Sequence, residues 1–253
     1  MAIDSSRRSE SPEFSPLAID ADLTPLPEYK EAGTTTLDFD GLLSAPLQLH
    51  EDLSSGCGGQ LWPAGMVLAT HMLRYHRDRL ADARILELGA GGGLVSLAVA
   101  RGCQDIKTQI LVTDQEEMFS LMEHNIRLNG VEARAKAMLL NWGEELPQEV
   151  VESRPNVILA ADCVYFEPAF PLLQKTMADL LTLCPEATIY FCFKKRRRAD
   201  MQFLKKAQKL FSVVEVADQA RPVFSREGLF LYAISSKQRQ QLGGGGGKNT
   251  GNQ

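Results

Sequence analysis

The chain has 253 residues, 44% of them hydrophobic, which is enough for one sizeable core, and it carries a formal net charge of −5. That balance gives no global attraction for nucleic acid or an anionic membrane surface, and no apolar run approaches the roughly 18 residues that span a bilayer. Five cysteines without a CxxC pair and four histidines without an HExxH point to neither a disulfide framework nor a zinc site, so no metal is expected. Residues 1–36, rich in Ser, Pro, Asp and Glu and lacking an apolar signal core, read as a disordered or extended segment. One folded domain follows over 37–236, and the Gly-rich residues 237–253 read as a flexible tail. Within the domain the apolar spacing predicts a helix over 64–79, a strand over 84–88, a helix over 94–101, a strand over 109–113 and a helix over 117–128 closed by Asn129-Gly130. Strands over 135–140 and 157–161, a helix over 170–183, a strand over 188–193 and a helix over 199–210 come next. The last two strands, 212–216 and 229–234, are joined by a loop with no helical pattern. The alternation predicts an α/β fold: a mostly parallel sheet with helices on both faces, one edge closed by a C-terminal antiparallel hairpin.

The stretch ILELGAGGGLVSLAVA passes from strand through a glycine-rich turn into a helix, where unpaired N–H groups can receive a nucleotide-like ligand. A dinucleotide fingerprint, G-x-G-x-x-G, would need a third glycine where Leu94 stands. Instead Glu87 lies two residues before Gly89, making E-x-G-x-G-x-G with Ala90 and Gly91 in the turn. A carboxylate aimed into the mouth of the turn repels a pyrophosphate and suits a cofactor bearing an ammonium or sulfonium; S-adenosylmethionine carries both. Asp114 ends the next strand, where an acid accepts ribose hydroxyls or, in the plainer reading, caps the following helix. Trp62 and Trp142 are the only tryptophans. Each is either core or pocket wall: Trp142 follows a strand in the polar stretch NWGEE, where a ring can flank an adenine, and Trp62 precedes a helix start at Pro63. Asp162 follows the apolar run NVILAA at the carboxyl edge of the sheet, where open α/β folds bind ligands, and reads as a site residue or a loop acid. Tyr165, three residues on, shares its cavity if the loop turns. The basic run KKRRR at 194–198 reads as a solvated face or a contact for a protein substrate.

Four stretches, Leu61-Trp62-Pro63-Ala64, the turn from Glu87 to Gly93, Asn141-Trp142-Gly143 and Ala161-Asp162-Cys163-Val164-Tyr165, together resemble the seven-β-strand methyltransferases, and within them the family-16 protein-lysine methyltransferases. PLQLHEDLSSGCGGQLWPAG and ADCVYFEPAF are similar to the fungal elongation factor methyltransferases that modify a lysine of translation elongation factor 1-alpha. The resemblance implies a Rossmann-like seven-stranded methyltransferase sheet and S-adenosyl-L-methionine as cofactor, in contact with Trp62, Gly89, Ala90, Gly91, Asp114, Trp142 and Ala161. Glu87 joins this set through its charge. On the same reading Asp162 orients the arriving lysine ammonium and Tyr165 lines its channel. Gly92 departs from relatives that carry Thr, Ser or Cys there. Cys163 lacks the preceding proline of cytosine methyltransferases, and the Asn/Asp-Pro-Pro-Tyr signature of amino-methylating DNA enzymes is absent. The expectation is a monomeric cytoplasmic enzyme with a protein substrate and without membrane or nucleic-acid partners. The alternatives are a methyltransferase of RNA or a small molecule, and a non-catalytic binding module on the same fold.

Overall fold

Two short strands, β1 (Gly33–Leu37) and β2 (Leu47–Glu51), pair antiparallel as a sheet of their own. The computed structural model describes residues 32–54 and 57–237, so most of the N-terminal segment and the Gly-rich tail from residue 238 lie outside the described residues. The remaining strands are β3 (Ile85–Leu88), β4 (Ile110–Asp114), β5 (Ala135–Leu139), β6 (Val157–Ala161), β7 (Thr188–Lys194), β8 (Ser212–Glu215) and β9 (Leu229–Ser235). They form one seven-stranded sheet in the order β5-β4-β3-β6-β7-β9-β8. Strands β3 to β7 are parallel, and β9 runs antiparallel between β7 and β8.

Period-two alternation sorts the strand residues between two cores. Ile85, Ile110, Val112, Leu159 and Cys192 pack with α1 (Pro63–Tyr75), α2 (Leu94–Gly102) and α3 (Glu116–Leu128). Leu86, Leu88, Leu111, Ile158 and Ile189 face the other way, toward α4 (Gln148–Ser153), α5 (Phe170–Leu183) and α6 (Arg198–Leu210). The same alternation turns Glu87 onto the α2 face, with an apolar neighbour on either side in β3. The β1–β2 hairpin is held by two carboxamides one helical turn apart, Asn125 on α3 and Asn129 at its C-cap. Asn125 accepts the His50 N–H at 2.8 Å and donates back to the His50 carbonyl at 3.0 Å. Asn129 does the same with Gln48, at 2.9 and 2.6 Å. The edge of β2 is thus paired without a third strand.

Three elements differ from the expectation. β1 begins inside residues 1–36, read as a disordered or extended segment, and pairs with β2 there. The helix expected to reach residue 79 ends at Tyr75, where the apolar period gives way to HRDR, and those residues form a separate 3-10 turn, Arg77–Arg79. The loop between the last strands contains α7 (Arg221–Phe224) and another 3-10 turn, Ser225–Glu227. Like α4, α7 is too short to display a helical period.

Candidate active site

The strand order reverses between β3 and β6, and the chain leaves their carboxyl ends toward opposite faces of the sheet. An open α/β sheet has its ligand crevice at such a point. A cavity of about 410 Å³ lies there, within the ~300–1,000 Å³ usual for small-molecule sites. Trp62, Glu87, Gly89, Ala90, Gly91, Asp114, Trp142, Ala161, Asp162 and Tyr165 all line it.

The turn after β3 is bare backbone under pressure from its neighbours. Gly89 and Gly91 have φ of 58° and 55°, the left-handed region that side chains disfavour. A Cβ on Gly89 would lie 2.7 Å from the Trp142 ring, and one on Gly91 would lie 2.2 Å from the Gly58 carbonyl oxygen. Asp114 clamps this turn: Oδ2 accepts the Gly91 N–H and Oδ1 the Gln115 N–H, each at 2.7 Å. Each oxygen keeps a lone pair that can accept a hydroxyl. Burial raises the Asp114 pKa, and the two backbone hydrogen bonds oppose the rise. Glu87 is 2% exposed. It lines the cavity, but one oxygen accepts the Ser96 N–H at 2.8 Å, so the carboxylate caps α2 as well as facing the turn. Burial lifts its pKa from 4.5 to about 7 against that hydrogen bond. A glycine cradle, a carboxylate with spare lone pairs, an indole over the turn and a second buried acid fit a ligand with a ribose, an aromatic base and a positive charge. S-adenosylmethionine has that chemistry.

The other end of the cavity is built from the loops after β6 and β7. Asp162 follows β6 with φ 56°, a conformation that Asp tolerates better than most residues, and its N–H donates to the Cys192 carbonyl at 2.8 Å. Its carboxylate is buried and held by a two-pronged Arg196 guanidinium, Nη1 to Oδ1 at 2.8 Å and Nη2 to Oδ2 at 2.7 Å. The Lys194 N–H adds a third contact at 3.2 Å. The guanidinium also sits 4.9 Å from the centroid of the Trp62 ring. The charge of Asp162, the residue expected to orient the arriving lysine ammonium, is thus matched by a cation of the same chain. Tyr165 lines the cavity and is 46% exposed; beside it in the lining stand the exposed Phe166 and Leu172, an apolar mouth open to solvent. The basic run is not uniformly solvated either: Arg197 donates to the Tyr165 carbonyl and pairs with buried Asp200 at 3.1 Å.

Sequence reasoning missed Leu49, Gly58, Gln60, Met118 and Arg196, all of which line the cavity. Gly58-Gly59 beside Leu61-Trp62-Pro63 was a legible turn signal. Nothing in a run of five cations singled out Arg196. Among the described residues no group of three or more His, Cys, Asp or Glu is placed to hold a metal ion, and no helix is long and apolar enough to cross a membrane.

The family model for lysine methyltransferases matches residues 42–210, a span containing every residue predicted for the site. The chain is similar to protein-lysine N-methyltransferase EFM6 of Saccharomyces cerevisiae, with 39% identity over 214 residues, 76% of this chain and 87% of the yeast protein. It is 29% identical to protein N-lysine methyltransferase METTL21A of Danio rerio over 86% of this chain and 95% of that one. EEF1A lysine methyltransferase 3 of Mus musculus is 31% identical over 56% of this chain and 57% of its own length. Among solved structures, mitomycin 7-O-methyltransferase MmcR aligns with a TM-score of 0.50 at 13% identity, over 68% of this chain and 52% of that one, a likeness of fold.

Proposed function

We propose, from the premise that this chain belongs to the lysine methyltransferase family, that it methylates a lysine of translation elongation factor 1-alpha with S-adenosyl-L-methionine as donor. The observation that carries the reading is the convergence, in one cavity, of the glycine turn, Asp114, Trp142 and the loop from Ala161 to Tyr165. The name of the mouse relative supports the choice of substrate.

When bound, the cofactor supplies a methyl group already activated on a cationic sulfur. Asp114 takes the ribose hydroxyls, Trp142 flanks the base, Glu87 balances positive charge, and Trp62 closes the pocket beside Ala90 and Ala161. Tyr165, Phe166 and Leu172 receive the substrate segment at the mouth. The work left to the protein is to align the lysine amine and to exclude water. The amine must also be neutral, and with a pKa of ~10.4 almost none of a free lysine is neutral at pH 7. The catalytic unit in this reading is residues 37–236, joined by β1, and a translation factor as substrate places the enzyme in the cytoplasm.

Incubation of the full chain with tritiated cofactor and a cytosolic lysate, with and without RNase, tests the class of substrate. A labelled protein band that survives RNase and is reproduced with recombinant elongation factor 1-alpha is the expected result. Label lost to RNase overturns the protein-substrate reading. Label on another protein, with none on elongation factor 1-alpha, overturns the choice of substrate.

A further inference from the structure

We propose that Arg196 is a positioning residue that balances the charge of Asp162, so that the substrate lysine meets this end of the cavity as a neutral amine. The proposal rests on the protein-lysine methyltransferase reading and concerns an ion pair in the cavity wall that sequence reasoning did not foresee.

A carboxylate beside a lysine has two opposing effects. It attracts the ammonium and so favours binding, but it also stabilises the protonated form, which has no lone pair to attack a methyl group. An unmatched Asp162 at the substrate end would therefore hold the lysine in its unreactive state. The structure removes that conflict. Both Asp162 oxygens are engaged by the Arg196 fork, at 2.8 and 2.7 Å, and the pair sits where Asp162 is only 5% exposed. Two parallel N–H···O bonds fix orientation as well as charge, which a lysine in the same place would not do.

Arg196 is held from three sides. Its own N–H donates to Asp200 Oδ2 at 2.8 Å, and the same oxygen takes the Arg197 N–H at 2.8 Å, which pins the chain at the start of α6. The Trp62 ring lies 4.9 Å from the guanidinium carbon, a distance at which a cation is attracted to the ring face. Asp162 closes the third side. A guanidinium fixed in this way links the pocket-closing indole to the acid at the substrate end.

Other titratable groups do not replace it. Cys163 and Cys192, packed behind Asp162, are buried, and burial raises both thiol pKa values, so they stay protonated and neutral. Glu87 and Asp114 belong to the turn after β3 and are engaged by the Ser96, Gly91 and Gln115 amides. Lys194 reaches Asp162 through its main-chain N–H, and Arg197 is paired with Asp200. The charge opposite Asp162 is that of Arg196.

The test compares the full-length chain with Arg196→Gln, Arg196→Lys and the double variant Asp162→Asn/Arg196→Gln. Methyl transfer to the protein substrate is followed from about pH 6.5 to about pH 9.5, and S-adenosylhomocysteine is titrated calorimetrically into each protein. In Arg196→Gln the unmatched carboxylate should leave KM for the protein substrate unchanged or lower. It should cut kcat near pH 7 by ~10-fold or more and move the alkaline rise of kcat up by roughly one pH unit or more. Arg196→Lys should keep the position of that rise, because the charge remains. The double variant should return the rise to its wild-type position even with a lower kcat, because both charges are gone. S-adenosylhomocysteine affinity should fall less than kcat near pH 7 does, because the guanidinium reaches the cofactor end only through the Trp62 ring. A loss of kcat in Arg196→Gln that is uniform across pH, or a loss of cofactor affinity in step with it, would show that the guanidinium only supports the fold and would overturn the proposal. If the wild-type chain labels a protein other than elongation factor 1-alpha, the same comparison is run on that protein. If it labels no protein at all, the protein-lysine methyltransferase reading fails and this proposal falls with it.

Discussion

Replacing Asp114 by Asn keeps the shape of the side chain and removes its charge, and the geometry sets the size of the effect. Each carboxylate oxygen accepts one backbone N–H at 2.7 Å, from Gly91 on one side and Gln115 on the other. An amide can accept only one of these, and its NH2 then faces the other N–H. One charge-assisted hydrogen bond is lost in the free protein, a cost of about 1.5–3 kcal/mol. A second loss of similar size falls on the ribose hydroxyls, corresponding to a roughly ten- to hundredfold weaker cofactor complex. Burial already penalises the charged form of Asp114, so removing the charge also relieves part of that penalty, and both losses should lie toward the lower end. Calorimetric titration with S-adenosylhomocysteine reads the binding loss without turnover, and a thermal melt reads the stability loss. A lowered Tm with unchanged affinity would refute the ribose contact and leave Asp114 as a clamp on the glycine turn alone.

Gly89→Ala places a methyl group 2.7 Å from the Trp142 ring on a backbone with φ 58°, so it adds ~1–2 kcal/mol of strain and displaces the indole. S-adenosylhomocysteine affinity should fall by ~10-fold or more, and retained affinity in a folded variant would remove Trp142 from the pocket wall. Glu87 titrates near 7 because burial favours its protonated form, so its contribution to stability is complete below about pH 4.5 and is lost as pH rises through 7. A cationic ligand favours the ionised form, so S-adenosylmethionine affinity should rise between about pH 6 and about pH 8 with release of a proton, and Glu87→Gln should flatten most of that dependence. A wild-type affinity that does not change over this range would show that Glu87 does not face the cofactor's charge.

The parallel core was legible because β3, β4 and β6 are buried on both faces and so read as short, nearly continuous apolar runs, each followed by a stretch with helical spacing. The β1–β2 hairpin was not. Its strands, GTTTL and LQLHE, carry few apolar residues, and its anchorage lies in the carboxamides of Asn125 and Asn129. Those contacts join residues 75 and 81 positions apart. The hairpin supplies Leu49 to the cavity wall, and the 3-10 turn that follows supplies Gly58. One wall of the site was therefore hidden together with the hairpin.

Within the site, legibility follows the kind of constraint. At the cofactor end the constraint is on the backbone: only glycine fits at positions 89 and 91, where a Cβ would meet Trp142 or Gly58, and Asp114 must stand at the end of a strand to reach the Gly91 amide. Such demands leave a spaced pattern in the chain, which can be read directly. At the substrate end the constraint is a match of charges between two loops. Asp162 is recognisable by its place after β6, but the cation that completes it lies 34 residues further on, among neighbours of the same charge. The parallel pairing of β6 with β7 sets Ala161 opposite Cys192, so the loops leaving both strands emerge side by side, and within the basic run it is the Arg196 guanidinium that meets both Asp162 oxygens. The register of the sheet thus brings the basic run to the acid, the side-chain fork picks out Arg196, and the chemistry proposed for the lysine depends on both.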